Sequence, residues 1–396
     1  MTGEASGRLG LSGVCATRDL VVVCGAGGVG KTTVAAALAL EAAVEQGGRV
    51  LVLTVDPARR LADALGLREL GNIESRVPLE GTGLGAVRGE LWAAMLDARA
   101  GWDELVERHA PDAATGDRLI ANPLYRDVTG RFAHSHEYLA MERLHEVHAS
   151  GRYDLVVVDT PPSTHAVDVL DAPGRMIDFF ESRLLRWLTA PARSPLLGLA
   201  SRPFYQVLDR VLGARFGEDL AEMFGLLSLL RPGFVSRASR VRELLAEPRT
   251  AYVVVTTTED VAMAEARRLV EALSDRRLEP AAMVVNRGAP QHLLDRLDRR
   301  IGLELQQCSE DDATVARLAS LMEVPAPVLS GVLSEMARRT EDLVWFVERE
   351  QQRLREASHL APVVARVPTF DTDVSELDTL LRVGGSLWRD HTGGAD

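Results

Sequence analysis

The sequence has 396 residues, 46% hydrophobic and 26% charged, which is enough chain to bury a large core in one big domain or two ordinary ones. Acidic residues outnumber basic ones 57 to 45, a net charge of −12, which argues against a nucleic-acid grip built on bulk positive charge. Among the 45 cationic side chains, Lys31 is the one lysine and all the others are arginine. The three asparagines, Asn72, Asn122 and Asn286, point the same way, towards a bias against A-rich codons. A compatible second reading is that arginine serves everywhere except at one site that needs an ammonium.

Cys15, Cys24 and Cys308 stand alone with no C-x-x-C spacing, so neither a disulfide framework nor a zinc knuckle is expected. The start lacks a basic stretch leading into a long apolar one, and no window approaches about 18 apolar residues. The C-terminal segment from Ser386 is polar and does not resemble a basic membrane anchor. The expectation is a soluble cytoplasmic protein.

Residues 1–18 are rich in Gly and Ser and are expected to be disordered. Leu20 to Cys24 is a short apolar run entering a Gly-rich stretch, the pattern of a buried strand and its loop. Thr32 to Glu45 reads as a helix stopped by Gly47 and Gly48. Val50 to Val55 is a second strand, broken at Asp56-Pro57 and followed by a short helix from Ala58 to Leu65. Further strands are expected at Leu155–Val158, Ala251–Thr256, Ala281–Val285 and, more weakly, Val363–Val367. Helices are expected over Asp260–Leu273 and from about Val374 to Trp388. Continuous apolar runs mean strands covered on both faces, and their alternation with helices means an α/β fold with a mostly parallel sheet. Helical insertions at about 99–150 and 175–245 form an inserted α-helical subdomain, with a further insertion at about 291–358. Residues 19–396 therefore read as a single domain.

Gly25-Ala-Gly-Gly-Val-Gly30-Lys31-Thr32 fits G-x-x-x-x-G-K-T in full, between a buried strand and a helix. The glycines let backbone N–H groups curl around phosphate oxygens, and the helix N-terminus adds partial positive charge there. Lys31 would reach the outer phosphates and Thr32 would offer its hydroxyl to Mg²⁺. The bland alternative is a Gly-rich turn with an incidental lysine. Asp56 and Asp159 each end an apolar strand, where ligands of open α/β sheets bind. Either alone suits a helix N-cap as well as metal or water positioning.

Together these segments resemble the arsenical-pump (ArsA) and guided-entry tail-anchored-protein targeting ATPases, of the MinD/ParA-like class. Gly25 to Thr33 resembles their deviant Walker A motif. Asp56-Pro-Ala-Arg-Arg-Leu-Ala-Asp-Ala64 is similar to their switch I, and Asp159 to Ala166, running on to Pro173, to their switch II. Val284-Val-Asn286-Arg287 is similar to their adenine-contacting strand end, and Val367 to Val374 to their late loop over the base. The details look closest to an actinobacterial ArsA-like branch.

The resemblance implies ATP and Mg²⁺ as cofactors. It implies that Gly27, Gly28, Val29, Gly30, Lys31, Thr32 and Thr33 hold the phosphates, that Asp56 polarises the attacking water, and that Thr32 and Asp159 serve the metal. Asn286, Arg287 and Pro368 would lie at the base, and His165 in the relay from switch II. It further implies a two-subunit clamp whose helical subdomain moves with nucleotide state and handles cargo or a membrane partner. Where the family carries a second, signature lysine, this sequence has Ala26. That departure suggests pairing with a paralogue that supplies the lysine; Arg59 or Arg60 is a poorer substitute. Without the paired thiolates or zinc motif of the family, arsenite pumping by a cysteine triad is not expected. A nucleotide-binding regulatory subunit with little turnover is the alternative.

Three other groups stand out. His134, His136, His145 and His148 lie near Glu137, Glu142 and Glu146, and read as a solvated helix face, with metal binding by Glu142 and His145 the sharper alternative. The Arg-rich runs 237–242 and 296–300 read as salt-bridged helix surfaces. The apolar residues from Met176 to Leu245 read mainly as core, with a groove for an apolar client helix as the alternative.

Overall fold

A computed structural model describes residues 10–55, 60–67, 70–79, 86–95, 98–126, 135–161, 163–182, 216–290, 293, 299–371 and 376–388. Eight strands form one sheet: β1 (Leu20–Gly25), β2 (Gly48–Thr54), β3 (Ser75–Arg76), β4 (Gly89–Met95), β5 (Leu155–Asp159), β6 (Thr250–Thr257), β7 (Pro280–Gly288) and β8 (Val363–Pro368). Their spatial order is β3-β4-β2-β5-β1-β6-β7-β8. Every neighbouring pair is parallel except β3 with β4. The expected α/β architecture with a mostly parallel, helix-flanked sheet is therefore present.

The apolar runs explain why the sheet lies in the middle. Val21 and Val23 of β1 join one buried cluster, while Leu20, Val22 and Cys24 join the cluster on the opposite face. Period-two alternation thus places apolar groups on both sides, and helices must cover both. One face carries α1 (Leu11–Thr17), α2 (Lys31–Glu41), α3 (Arg60–Ala64) and α13 (Leu377–Trp388). The other face carries α6 (Ser135–Ala149), the C-terminal part of α8 (Phe216–Ala246), α9 (Asp260–Asp275) and the C-terminal half of α12 (Ala326–Leu360).

Above the second face, α4 (Ala98–His109), α5 (Ala113–Ala121), α6, α7 (Ser163–Glu181) and α8 share a separate buried cluster. Met176, Phe180, Met223, Leu226, Leu227 and Leu230 are interior to it, as the core reading expects, whereas Leu229 is 53% exposed. Leu184, Leu185, Trp187, Leu188, Leu196, Leu197 and Phe204 lie outside the described residues. The last helical group is α10 (Arg299–Glu310), α11 (Asp312–Met322) and α12.

Two expectations are corrected. Part of the 1–18 segment is ordered: α1 buries Leu11, Val14 and Cys15 against the first face. Their i, i+3, i+4 spacing makes an apolar stripe that outweighs the Gly/Ser content. Strands β3 and β4 are not among the strands expected from sequence, because β3 is two residues long and the apolar run of β4, Leu91 to Met95, carries none of the β-branched residues that mark β1, β2 and β5. The second helix also ends as expected at Gly47, through a π-helical turn at Ala42–Gln46.

Candidate nucleotide site

The site begins where β1 ends. Gly25 passes so close to β6 that an added Cβ would lie 2.2 Å from the Val255 carbonyl oxygen. After Ala26, Gly28 and Gly30 adopt φ of 78° and 92°, the left-handed region that glycine enters cheaply. Nothing lies within 4 Å of an added Cβ at Gly28, so the loop leaves open space on that side. At Gly30 the same Cβ would meet the Asn286 side-chain nitrogen at 2.3 Å. Gly27 and Gly28 are exposed, Val29 is buried, and Thr32 and Thr33 are half-buried at the first turn of α2.

Lys31 opens α2 and is 8% exposed, with its Nζ donating to the Ala26 carbonyl oxygen at 2.8 Å. The ammonium therefore folds back over the loop. Thr32 Oγ1 donates to Asp159 Oδ2 at 2.7 Å, and Thr54 Oγ1 donates to the same oxygen at 3.0 Å. The last residues of β2 and β5 and the first turn of α2 thus meet at one fully buried carboxylate. A hydroxyl and a carboxylate are hard oxygen donors of the kind Mg²⁺ takes. The donor set fits a magnesium ion, and the cradle of loop amides at a helix N-terminus fits a polyphosphate. Next along the chain, Thr160 donates through Oγ1 to the Val23 carbonyl oxygen, fixing the start of the segment after Asp159.

At the far side, Asn286 of β7 is also buried. Its Nδ2 donates to the Val29 carbonyl oxygen at 2.8 Å, and its Oδ1 accepts the Arg287 N–H at 2.9 Å. Arg287 has φ 57°, and Pro368 of β8 pairs with Gly288 just beyond it. The structure therefore brings Asn286, Arg287 and Pro368 to one strand end and joins that end to the phosphate loop. Asp56 and Arg59 lie outside the described residues, as do Pro162 and Asp373, and the side chains of Arg60 and His165 lie outside them too.

Residues 18–307 match the pattern of the anion-transporting ATPase family. The chain belongs to that family. Among its relatives is ATPase get3 of Aspergillus terreus, 27% identical over 270 residues, which cover 67% of this chain and 72% of the relative. ATPase get3 of Schizosaccharomyces pombe is 26% identical over 278 residues, covering 69% and 74%. The uncharacterized protein SCO2128 of Streptomyces coelicolor is 31% identical over 250 residues, covering 61% and 58%. This anion-transporting ATPase family member is accordingly an ATPase.

One residue of the candidate site, Thr54, and one contact within it were not foreseen from sequence. Thr54 was read only as part of a strand, and the Asn286–Val29 bond joins residues 257 positions apart. A hydroxyl at the C-terminal end of a central strand, two residues before Asp56, was the available signal for Thr54. At the position of the missing signature lysine, Ala26 is buried, 6% exposed.

The remaining candidates fall elsewhere. Burial pushes the Cys15 thiol up to about 12, and does the same at Cys24 against the opposing pull of Lys31, so both stay protonated and inert at neutral pH. Among the described residues no group of three or more His, Cys, Asp or Glu side chains is placed to hold a metal. The solvated-face reading of the histidine cluster is corrected at its centre. Glu142 is 2% exposed and paired with Arg237 of α8, and His109 Nε2 lies 3.6 Å from it. A carboxylate inside an apolar cluster must find a cation, and Arg237 supplies it. Arg237 therefore points inward, unlike the surface expected for the 237–242 run, while Arg240 and Arg242 are exposed. His134, and the side chains of His136 and Glu137, lie outside the described residues.

Proposed function

We propose that this ATPase binds ATP with Mg²⁺ at the P-loop and cleaves the γ-phosphate by in-line attack of water, mainly through positioning and electrostatics. The observation that carries the reading is the Thr32–Asp159 contact at 2.7 Å beside Lys31. Magnesium, when bound, would supply positive charge that offsets the charge developing on the phosphates. Thr32 and Asp159 would hold it through oxygen donors. The amides from Gly27 to Thr33 orient the phosphates, and Lys31 swings from the Ala26 carbonyl to the outer phosphates. Asp56 follows β2 directly and polarises the attacking water. Asn286, Arg287 and Pro368 flank the base. Changes at Asp56 and Asp159 pass to α3 and α7, each of which begins within a few residues of one of them.

The resemblance to the arsenical-pump and tail-anchored-protein targeting ATPases supports a cytoplasmic two-subunit machine whose helical layer handles an apolar client or membrane partner. No single helix among the described residues is long and apolar enough to cross a membrane; one bent pair, α11 with α12 at 108°, passes by length and composition. The acidic net charge supports a role without nucleic acid. Ala26 favours a heterodimer in which a paralogue donates the missing lysine. One turnover assay tests both levels. Asp56→Asn is expected to bind ATP and lose turnover, and persistent turnover removes Asp56 from its role. The unaltered chain is expected to turn over slowly alone and faster with the paralogue. Full turnover alone, unchanged by Arg59→Ala and Arg60→Ala, ends the heterodimer reading and leaves the ATPase.

A further inference from the structure

The loop that leaves β7 is held by a pair of buried charges that the nucleotide chemistry above does not use. Glu350 of α12 is 0% exposed and Arg366 of β8 is 3% exposed. One Glu350 oxygen accepts the Ala289 N–H at 2.5 Å. The other accepts from Arg366 Nε, and Arg366 also donates through a terminal nitrogen to the Ala289 carbonyl oxygen. Both polar groups of one backbone residue are thus gripped by one ion pair. One residue earlier, Gly288 leaves no room: an added Cβ would lie 2.4 Å from a Glu350 oxygen and 3.0 Å from Arg366 Nε. The Gly288 carbonyl oxygen accepts the Thr369 N–H at 2.8 Å, from the residue after β8.

Stability is a poor reason for such a pair. Taking two charges out of water costs several kcal/mol per ion, roughly what their attraction returns, and apolar replacements of similar volume are often neutral or better. What the pair supplies is a fixed path for the backbone. That path is irregular: the β7–β8 register shifts between Val285 and Gly288, and Arg287 holds φ 57°. Asn286 sits at the start of the irregular stretch, and its side chain reaches Val29 of the phosphate loop. From α12 to the P-loop the contacts are therefore continuous, through Glu350, Ala289, Gly288, Asn286 and Val29.

We propose that Glu350 and Arg366 are positioning residues for nucleobase recognition. They fix the strand end that carries Asn286 and Arg287, and so set the preference for adenine over guanine in the nucleoside triphosphate. The inference rests on the reading that Asn286 lies at the base. It also makes the long helix α12 a structural support of the nucleotide site.

The test separates positioning from folding. In Glu350→Gln the amide turns a donor towards either the Ala289 N–H or Arg366, so one contact is lost. The ATP KM is expected to rise about tenfold, the scale of one lost hydrogen bond, with kcat within about twofold. Binding of inorganic triphosphate is expected to stay constant and the ATP-over-GTP ratio to collapse. The double variant Glu350→Met with Arg366→Met removes both charges. It is expected to fold, with a lowered thermal midpoint because the buried Ala289 N–H and C=O lose their partners, and to lose the base preference equally. A folded double variant that keeps the ATP-over-GTP ratio overturns the proposal, and so does a double variant that fails to fold, because the pair would then be structural. Asn286→Ala is measured in parallel. If it alone abolishes the ratio, the base reading stands and the positioning proposal fails. If it leaves the ratio intact, the base reading itself is wrong and the proposal goes with it.

Discussion

Lys31 is the one side-chain amine in the molecule, and its environment explains why arginine does not stand there. Its Nζ donates to the backbone carbonyl of Ala26, in a loop where Val29 and Ala26 are themselves buried. A compact ammonium on a flexible stem makes that contact and swings from it; a planar guanidinium needs more room and a fork of acceptors. The singularity of Lys31 also makes the phosphate reading directly testable. Acetylation by an amine-directed reagent, followed by peptide mass spectrometry, reports one internal site. ATP at ten times its Kd is expected to lower acetylation at Lys31 about tenfold by mass action, provided the phosphates cover the ammonium. Equal labelling with and without saturating ATP would show that Lys31 does not meet the nucleotide.

At the scale of elements, the helical layer above the sheet is tied together by charge as well as by apolar packing. Glu142 of α6, Arg237 of α8 and His109 of α4 converge inside it, and Arg237 stacks its guanidinium 5.2 Å from the Phe234 ring centre. Burial, then the neighbouring Arg237 and Arg108, lower the His109 pKa to about 4, against the opposing pull of Glu146. The ordinary value is 6.5, so the unfolded chain takes up this proton first as the pH falls. The contribution of neutral His109 is fully present above pH 6.5 and is lost as the pH drops towards 4. His109→Gln is therefore expected to flatten the fall of the thermal midpoint across that window, with little change at pH 8. An unaltered acid slope in the variant would assign the sensitivity to other groups. This cluster also shows where sequence reading stops. The P-loop, Asp159 and the strand bearing Asn286 were legible because each is a local pattern of a few residues at the end of an apolar run. Glu142 with Arg237, Thr54 with Asp159 and Glu350 with Arg366 were not, since each partner is set by how separate elements stack. Strand β4 was missed for a related reason: its short apolar run, Leu91 to Met95, has no β-branched residue and suits a buried helix as well, until pairing with β2 and β3 makes it a strand.

For the molecule as a whole, stability is distributed unevenly, and the unevenness follows α12. Over its C-terminal half this helix lies on the sheet, with Val347, Glu350 and Ala357 buried. Its N-terminal half extends past the sheet with α11, where the buried cluster consists of Val315, Ala319 and Leu329. Leu321, Met322 and Val328 there are each more than half exposed, so little apolar area holds this end in place. The free energy of local opening scales with such buried contacts, from near zero at loosely held segments to the global value in core strands. Amide hydrogen exchange is expected to run roughly 100-fold faster, about 3 kcal/mol less protected, in α11 and the first half of α12 than in β1, β5 and β6. The second half of α12, gripped through Glu350, is expected to exchange with the strands. Added ATP should then slow exchange in the gripped half, which touches the segment after β7 through Ala289, and leave α11 unchanged. If α11 and β1 exchanged at the same rate, the helix would be one rigid unit. Nucleotide-driven motion would then have to be sought in the layer of α4 to α8, where α7 begins four residues after Asp159.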